Sequence, residues 1–219
     1  IVTGKLEYKT HEEENFHPIT DYRENSFLRE LKKAGFKCGS TLLRAILNSD
    51  FCPIYNPFIA YFNSLAPWDE TTDHITQLAR TVTTTQQELW EYCFRKWIVA
   101  MVACAIADNQ INHTVIVFSG KQGIGKTTWM LNIVPPELKE YCFSGTINPN
   151  NKDTLIHLSE CLFVLLDELE NLNRTEIGTL KEIITKSQIR VRRAYGHNNE
   201  SMVRRASFGG GVNTAQFLN

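Results

Sequence analysis

The chain has 219 residues, with 23 basic and 24 acidic side chains, a formal net charge of -1 and 42% hydrophobic residues. These values are ordinary for a globular protein. They exclude a disordered tail, a collagen-like fibre and a strongly basic protein that coats DNA. A chain of this length can bury the core of one large domain or of two smaller ones. A near-neutral total still allows a local basic surface, so nucleic acid stays open as a partner.

The first 108 residues are expected to form a mainly helical N-terminal region. Apolar residues recur there at helical spacing, and Ser40 is a candidate cap for the second helix. The expected elements are a strand at 5–8, helices at 22–34 and 40–47, a turn and short helix within 50–62, and a long helix at 86–107.

From Val115 onward, short apolar runs alternate with helical segments. Such strands indicate a parallel sheet covered by helices on both faces, so residues 109–219 are predicted to form an α/β domain. The expected elements are strands at 115–120, 162–166 and 206–209, helices at 127–132 and 175–185, and a hairpin made by 189–193 with Val203.

The six cysteines form no Cys-x-x-Cys pair, and Cys104 and Cys161 lie in apolar runs. We therefore expect buried, reduced thiols in a cytoplasmic protein rather than a zinc site or a disulfide framework. The first ten residues lack the apolar core of a signal peptide, and the longest apolar stretch, 97–107, is too short to cross a bilayer. No membrane association is predicted. Because the chain starts at Ile and stops abruptly, we expect it to be a piece of a longer polypeptide.

A glycine-rich segment between the first predicted strand and a helix fits the pattern G-x-x-x-x-G-K-[ST] in full. It consists of Gly120, Lys121, Gln122, Gly123, Ile124, Gly125, Lys126 and Thr127, and is followed by Thr128. Its glycines permit positive φ angles, so that consecutive backbone N–H groups can converge on phosphate oxygens at a helix N-terminus. Lys126 would reach the β- and γ-phosphates of ATP, and the Thr127 hydroxyl would bind Mg²⁺. The alternative is a glycine-rich turn that matches by chance.

Two acidic residues, Asp167 and Glu168, follow the apolar run 162–166. Because parallel strands end at the same edge of a sheet, these carboxylates are expected near the glycine-rich segment. Asp167 would contribute to Mg²⁺ binding, and Glu168 would polarise the attacking water. The alternative is a solvated loop that happens to be acidic.

Asn213 follows the third predicted strand, after the glycine run Ser-Phe-Gly-Gly-Gly-Val. If that strand lies between the strands of the glycine-rich segment and of the acidic pair, Asn213 comes beside the attacking water. This is the position of a sensor for the γ-phosphate. The alternative is a turn residue after glycines.

Charge is segregated along the chain. Residues 170–205 carry eight basic and four acidic side chains, whereas residues 1–30 carry four basic and seven acidic ones. The residues Arg190, Arg192 and Arg193 form a basic element that can contact the phosphates of single-stranded DNA, with a nearby Tyr195 for stacking. The alternatives are a solvated charged face, or contacts with the nucleotide of a neighbouring subunit. Arg204 and Arg205 are candidates for a structural role or for a γ-phosphate contact.

Four segments in this order resemble the virulence-associated protein E family, whose members are P-loop ATPases related to AAA+ proteins and superfamily 3 helicases. The segments are FSGKQGIGKTTWMLNIVPPELKEYC, NKDTLIHLSECLFVLLDELENL, LKEIITKSQIRVRRAYG and RRASFGGGVN. The resemblance implies a DNA-dependent ATPase of a phage or mobile element that uses ATP and Mg²⁺. Such a protein acts as a ring-forming replicative helicase or initiator, often with a primase.

Carried over by position, the resemblance assigns Gly120–Thr127 to the phosphate loop and Asp167 with Glu168 to the acidic strand. It assigns Asn213 to the sensor and 186–193 to the DNA-facing element. Two features depart from the family pattern. Gly211 stands where the family usually has the threonine of Gly-Thr-x-Asn, and the chain stops before the expected lid and arginine finger. We therefore expect ATP binding with weak hydrolysis. A nucleotide-gated switch and a small-molecule kinase are the alternative functions.

Overall fold

The computed structural model describes residues 6–13, 16–147, 151–166, 169, 174–192 and 199–213, without the side chains of Asp153 and Arg174. The chain divides into two compact units, Ile1–Asn56 and Pro57–Asn219.

The first unit contains two short antiparallel strands and two helices. Its elements are β1 (Glu7–Tyr8), β2 (His17–Pro18), α1 (Asp21–Lys33) and α2 (Ser40–Leu47). Thr20 caps α1, because its side chain accepts a hydrogen bond from the Arg23 N–H. The predicted cap at Ser40 is wrong: Gly39 takes the capping position of α2, and Ser40 is the first helical residue. An ion pair joins the two helices, with Arg44 Nε 2.7 Å from Glu24 Oε1.

The second unit begins with helices and continues as an α/β fold. Its helices before the sheet are α3 (Pro57–Ser64), α4 (His74–Ala79) and α5 (Gln87–Ile106). The following elements are β3 (Val115–Ser119), α6 (Lys126–Asn132), a 3₁₀ helix (Pro136–Tyr141), β4 (Cys142–Gly145), α7 (Lys152–Glu160), β5 (Phe163–Leu166), α8 (Arg174–Thr185), β6 (Gln188–Val191), β7 (Glu200–Val203) and β8 (Ser207–Val212).

Four of these strands form a parallel sheet in the order β3-β8-β5-β4. β8 therefore lies between the strand before the glycine-rich segment and the strand before the acidic pair, which is the strand order that the sensor assignment of Asn213 requires. Every residue of β5 is buried, as expected for a strand with helices on both sides. Strands β6 and β7 form a separate antiparallel pair.

The long helix α5 packs on this sheet through its aromatic face. Trp97 is buried, its indole N–H donates to the Phe208 carbonyl at 3.2 Å, and its ring meets that of Phe163 edge-on. Phe94, one turn earlier, is also fully buried. The helix thus covers the face of β5 and β8 that residues 163 and 208 help to form.

The α/β class with a parallel sheet is confirmed, and the predicted division of the chain at residues 108 and 109 stays a prediction. Helices α3–α5 belong to the same compact unit as the sheet. Strand β8, the third strand that the sequence predicts, runs to Val212, three residues further than predicted. In the described part of the chain, no helix is both long and apolar enough to span a membrane.

Candidate functional site

The glycine loop, which we define as Gly120–Thr127, connects the carboxyl end of β3 to α6. Gly123 and Gly125 adopt φ angles of +82° and +88°, a conformation that side chains other than glycine rarely tolerate. Gly125 also occupies the capping position of α6. The loop therefore has the strand–loop–helix setting that the sequence predicts, and its glycines are required by the backbone.

Lys126 turns its ammonium group back onto this loop. Its Nζ donates to the carbonyl oxygens of Gly120 at 2.6 Å and Lys121 at 2.9 Å. A third acceptor is Asn213 Oδ1 at 3.3 Å. The structure thus brings together two predicted site residues, Lys126 and Asn213, which are far apart in sequence.

The glycine loop is also held by backbone contacts with the carboxyl end of β8. The Gly120 N–H donates to the Val212 carbonyl at 3.2 Å, and Ser119 pairs with Val212 in the parallel register. Because Asn213 directly follows Val212, the backbone that anchors the loop also presents the Asn213 amide to Lys126.

The remaining predicted residues of this site divide into two groups. Lys121, Gln122, Ile124, Thr127 and Thr128 are exposed on the glycine loop and the first turn of α6. Asp167 and Glu168 lie outside the described residues. The strand before them, β5, ends at Leu166, which pairs with Gly210 of β8. The chain therefore leaves β5 at the sheet edge that carries the glycine loop.

A cluster of aromatic side chains fixes the position of α6, the helix that follows the glycine loop. Trp129 packs against Trp90, Phe94 and Phe118, with ring centroids 5.3 to 6.0 Å away. Its indole N–H donates to Thr81 Oγ1 at 2.8 Å. Since Trp129 lies one turn after Lys126, this cluster sets the position of the helix that carries the lysine.

At three consecutive glycines of β8, Gly209–Gly211, other parts of the chain approach the backbone closely. The sequence analysis did not predict this. A Cβ atom at Gly209 would come 2.7 Å from the ring of Phe163, and one at Gly210 would come 2.2 Å from Leu169 Cδ1. At Gly211 it would lie 3.5 Å from Lys126 Cε. Glycines inside an apolar strand pattern are the feature that could have revealed this close approach.

The basic element is partly described. Strand β6 alternates, with Ile189 and Val191 buried and Arg190 exposed, and Arg192 is exposed just beyond it. Arg193 lies outside the described residues. Lys186 forms an ion pair with Glu182 at 2.7 Å, near the end of α8. The two described arginines thus project from one solvent-facing side, as the alternation requires.

Arg204 and Arg205 precede β8, at the edge of the sheet opposite Asn213. Arg204 is completely buried and donates to the carbonyl oxygens of Lys186, Ile184 and Asn112 at 2.8 to 3.0 Å. Burial lowers the pKa of its guanidinium. The sequence left two roles open for Arg204, a structural role and a contact with a γ-phosphate. Its burial and its hydrogen bonds to main-chain carbonyls support the structural role.

The second unit is an α/β domain in which a glycine loop, a lysine and an asparagine meet at the carboxyl edge of a parallel sheet. The family model of the virulence-associated protein E-like domain matches residues 62–219, so the chain belongs to this family.

A search of curated proteins gave no match. Two solved structures of the NrS-1 C-terminal region are similar. The A form apo structure has a TM-score of 0.54 and 14% identity, covering 95% of this chain and 52% of that chain. Another apo structure has a TM-score of 0.54 and 15% identity, covering 97% and 53%. The chain thus spans about half the length of these structures, and the likeness concerns the fold alone.

Proposed function

We propose that this chain binds and hydrolyses ATP with Mg²⁺ as a P-loop ATPase of the AAA+ and superfamily 3 helicase type, and acts in DNA replication of a phage or other mobile element. The observation that carries this proposal is the position of Lys126. Its ammonium lies on a loop held by two positive-φ glycines, at the N-terminus of a helix and at the carboxyl edge of a parallel sheet. These features together suit the binding of a triphosphate.

The described residues fit a nucleotide in three ways. The positive-φ glycines let backbone N–H groups face an anion without a Cβ in the way. Lys126 can exchange its carbonyl acceptors for phosphate oxygens, and Thr127 presents a hydroxyl in the first turn of α6. When bound, Mg²⁺ neutralises charge on the β- and γ-phosphates. Thr127 and Asp167 would hold this ion.

In the proposed reaction, the protein acts mainly by positioning and by charge stabilisation. Lys126 holds the phosphate that is released, and Glu168 orients a water and takes its proton. Asn213 contacts Lys126 in the structure, so its amide is close enough to contact the γ-phosphate once the lysine binds it. Single-stranded DNA would contact Lys186, Arg190, Arg192 and Arg193. The proposed assembly is a homo-oligomeric ring, working with a primase in the cytoplasm.

The test is the rise in melting temperature with Mg·ATP, because a ligand that binds only the folded state stabilises it. Wild type should show a rise that grows with ATP concentration, and Lys126→Ala should remove it. Lys181→Ala is the matched control: it deletes an exposed lysine of α8 and should keep the full rise. An undiminished rise in Lys126→Ala would disprove the assignment of the site.

A further inference from the structure

The turn between α4 and α5 contacts the helix that follows the glycine loop through the hydroxyl group of Thr81. This residue lies two positions after the end of α4, and its Oγ1 accepts a hydrogen bond from the indole N–H of Trp129 at 2.8 Å. The same hydroxyl donates to the Leu78 carbonyl at 2.7 Å. Because a hydroxyl has one hydrogen, the contact with Leu78 uses its donor and leaves its lone pairs for the indole. The turn thus presents a fixed acceptor to Trp129.

A second indole connects the same turn to α5. The Trp90 indole N–H donates to the Ala79 carbonyl at 2.8 Å, and the ring centroids of Trp90 and Trp129 are 6.0 Å apart. An indole N–H is a donor only, and it usually finds an acceptor when the ring is packed inside a protein. Both rings therefore pack together while their N–H groups are held two residues apart, at Ala79 and Thr81. The turn sets the orientation of both indoles.

Trp129 is also joined to the glycine loop by its backbone. Its main-chain N–H donates to the Gly125 carbonyl at 2.9 Å, and Gly125 is the residue with a φ angle of +88° that precedes Lys126. Helix α6 has only seven residues, so packing of its side chains, rather than its own length, determines where it lies. A shift of Trp129 would therefore move Gly125 and Lys126 with it.

We propose that Thr81 is a positioning residue for the glycine loop. By holding the indole of Trp129, it keeps Gly125 and Lys126 in the arrangement that binds the phosphates of a nucleotide. This inference rests on the proposed function, because it takes the glycine loop as the phosphate-binding element. Thr81 is exposed, so water can replace its hydroxyl as an acceptor. Loss of the hydroxyl should therefore change the position of Trp129 more than the stability of the fold.

The test measures binding of Mg·ADP and of pyrophosphate to the complete chain by calorimetry. Thr81→Val removes the hydroxyl and keeps the shape of the side chain, so both affinities should fall roughly fivefold, the usual effect of one hydrogen bond. Thr81→Ser keeps the hydroxyl and should bind both ligands as wild type does. Pyrophosphate has neither base nor ribose, so equal losses show that Thr81 acts on the phosphate site. A loss for ADP alone would show a direct contact with the nucleoside and would overturn the positioning role.

Two further measurements separate positioning from a purely structural role. In urea unfolding without nucleotide, Thr81→Val should be nearly as stable as wild type; a loss of stability with unchanged affinities would show that the hydroxyl only stabilises the fold. Trp129→Phe removes the N–H donor and keeps an aromatic ring. Adding Thr81→Val to it should lower the ADP affinity no further, because the hydrogen bond is already lost. Additive losses would contradict the proposed coupling. This comparison needs ADP alone, so it decides the matter if pyrophosphate binds too weakly to measure.

Thr83→Val is the matched control, since it makes the same substitution at another exposed threonine of this turn and should change neither affinity. The possible failures are distinguishable. If wild type binds ADP and Thr81→Val binds it equally well, the positioning role is wrong while the proposed function stands. If wild type binds neither ADP nor pyrophosphate, the proposed function is wrong and this inference is wrong with it.

Discussion

Arg204 is the largest side chain that the described part of the chain buries completely. Its guanidinium binds main-chain carbonyls at the end of α8, before β3 and at the start of β8. Hydrogen bonds to these carbonyls offset the cost of burying the charge, and they join three segments that are distant in sequence. Arg204 thus fixes the start of β8, the strand that directly precedes Asn213.

Replacing Arg204 by Met should destabilise the fold by about 3 kcal/mol, because several buried carbonyls lose their donors at once. Arg205→Met is the matched control at the next residue. Arg205 pairs with the largely exposed Asp108, and its Nη1 has no partner among the described residues, so about 1 kcal/mol or less is expected. Urea unfolding measures both. Equal losses would show that the carbonyl contacts of Arg204 are not what stabilises this region.

Asp69 organises the loop before α4. Its Oδ1 accepts from the backbone N–H groups of Thr71 and Thr72 at 3.0 and 2.9 Å, and its Oδ2 accepts from the Thr72 hydroxyl. These hydrogen bonds to the charged form hold the pKa of Asp69 well below its usual range. The pKa of Asp69 is lower in the folded chain than in the unfolded chain. The ionised carboxylate therefore stabilises the fold at pH values above the unfolded pKa, and this stabilisation decreases as the pH falls.

Asp69→Asn should therefore lower the melting temperature near neutral pH and have a smaller effect below about pH 4, the ordinary pKa of an aspartate. The measurement is the difference in melting temperature between wild type and variant from neutral to acidic pH. Thr71→Ala is the control, because it keeps the backbone N–H groups and removes only the smallest of the contacts that lower the pKa of Asp69, so most of the pH dependence should remain. A difference that stays constant across this range would contradict the role of the charge.

At the scale of elements, the strand pair β6–β7 separates an apolar from a basic side. Ile189 pairs with Met202 on the buried side, and Arg190 pairs with the exposed Ser201 on the other. Because the residue directly opposite Arg190 is a serine, no carboxylate faces this arginine in the direct cross-strand position. This side of the pair is where the proposed contact with single-stranded DNA belongs.

The double variant Arg190→Ala and Arg192→Ala should weaken binding of a fluorescent single-stranded DNA. It should also reduce the slope of log affinity against log salt by about 1.4, since about 0.7 is expected per phosphate contact. Fluorescence anisotropy at several salt concentrations, with Mg²⁺ and a non-hydrolysable ATP analogue, measures both effects. Arg29→Ala plus Lys32→Ala, on exposed residues of α1, is the control of equal charge change. Nucleotide binding without DNA binding would favour the nucleotide-gated switch.

Local patterns predicted the elements that a motif or an apolar run within one segment determines. The long helix α5, the strands β3 and β5 and the glycine loop were all predictable, because a motif or an apolar run within one segment determines each. Strand β4 was missed, since its four residues, Cys142–Gly145, show no alternation and it is recognised only by pairing with β5. The helix α7 before β5 was missed as well.

The candidate site was predictable where it depends on strand order and not where it depends on packing. The strand order places Asn213 at the edge of the sheet that carries Lys126, and the two side chains are hydrogen-bonded there. By contrast, the close approach of other atoms to Gly210 and the hydrogen bonds of Arg204 depend on contacts between segments far apart in sequence. The same dependence explains why the predicted strand stops at Gly209, whereas β8 continues to Val212.

For the whole molecule, the second compact unit contains every described part of the candidate site. It begins at Pro57, the family match begins at residue 62, and the sheet, the glycine loop and helices α3–α5 all follow. Its core includes the fully buried Phe58 and Phe94 as well as the sheet residues. A unit of this size that carries its own hydrophobic core is expected to fold independently.

A chain starting at Pro57 should therefore unfold cooperatively and keep the rise in melting temperature that Mg·ATP produces in the complete chain. The physical reason is that the lysine, its three acceptors and the helix beneath it all belong to this unit. Calorimetry of both chains with and without Mg·ATP measures the effect, and Lys126→Ala in the shorter chain should remove it. If the shorter chain folds but does not respond to Mg·ATP, while the complete chain does, residues 1–56 contribute directly to nucleotide binding. A shorter chain that fails to fold would show instead that the second unit depends on the first for its stability.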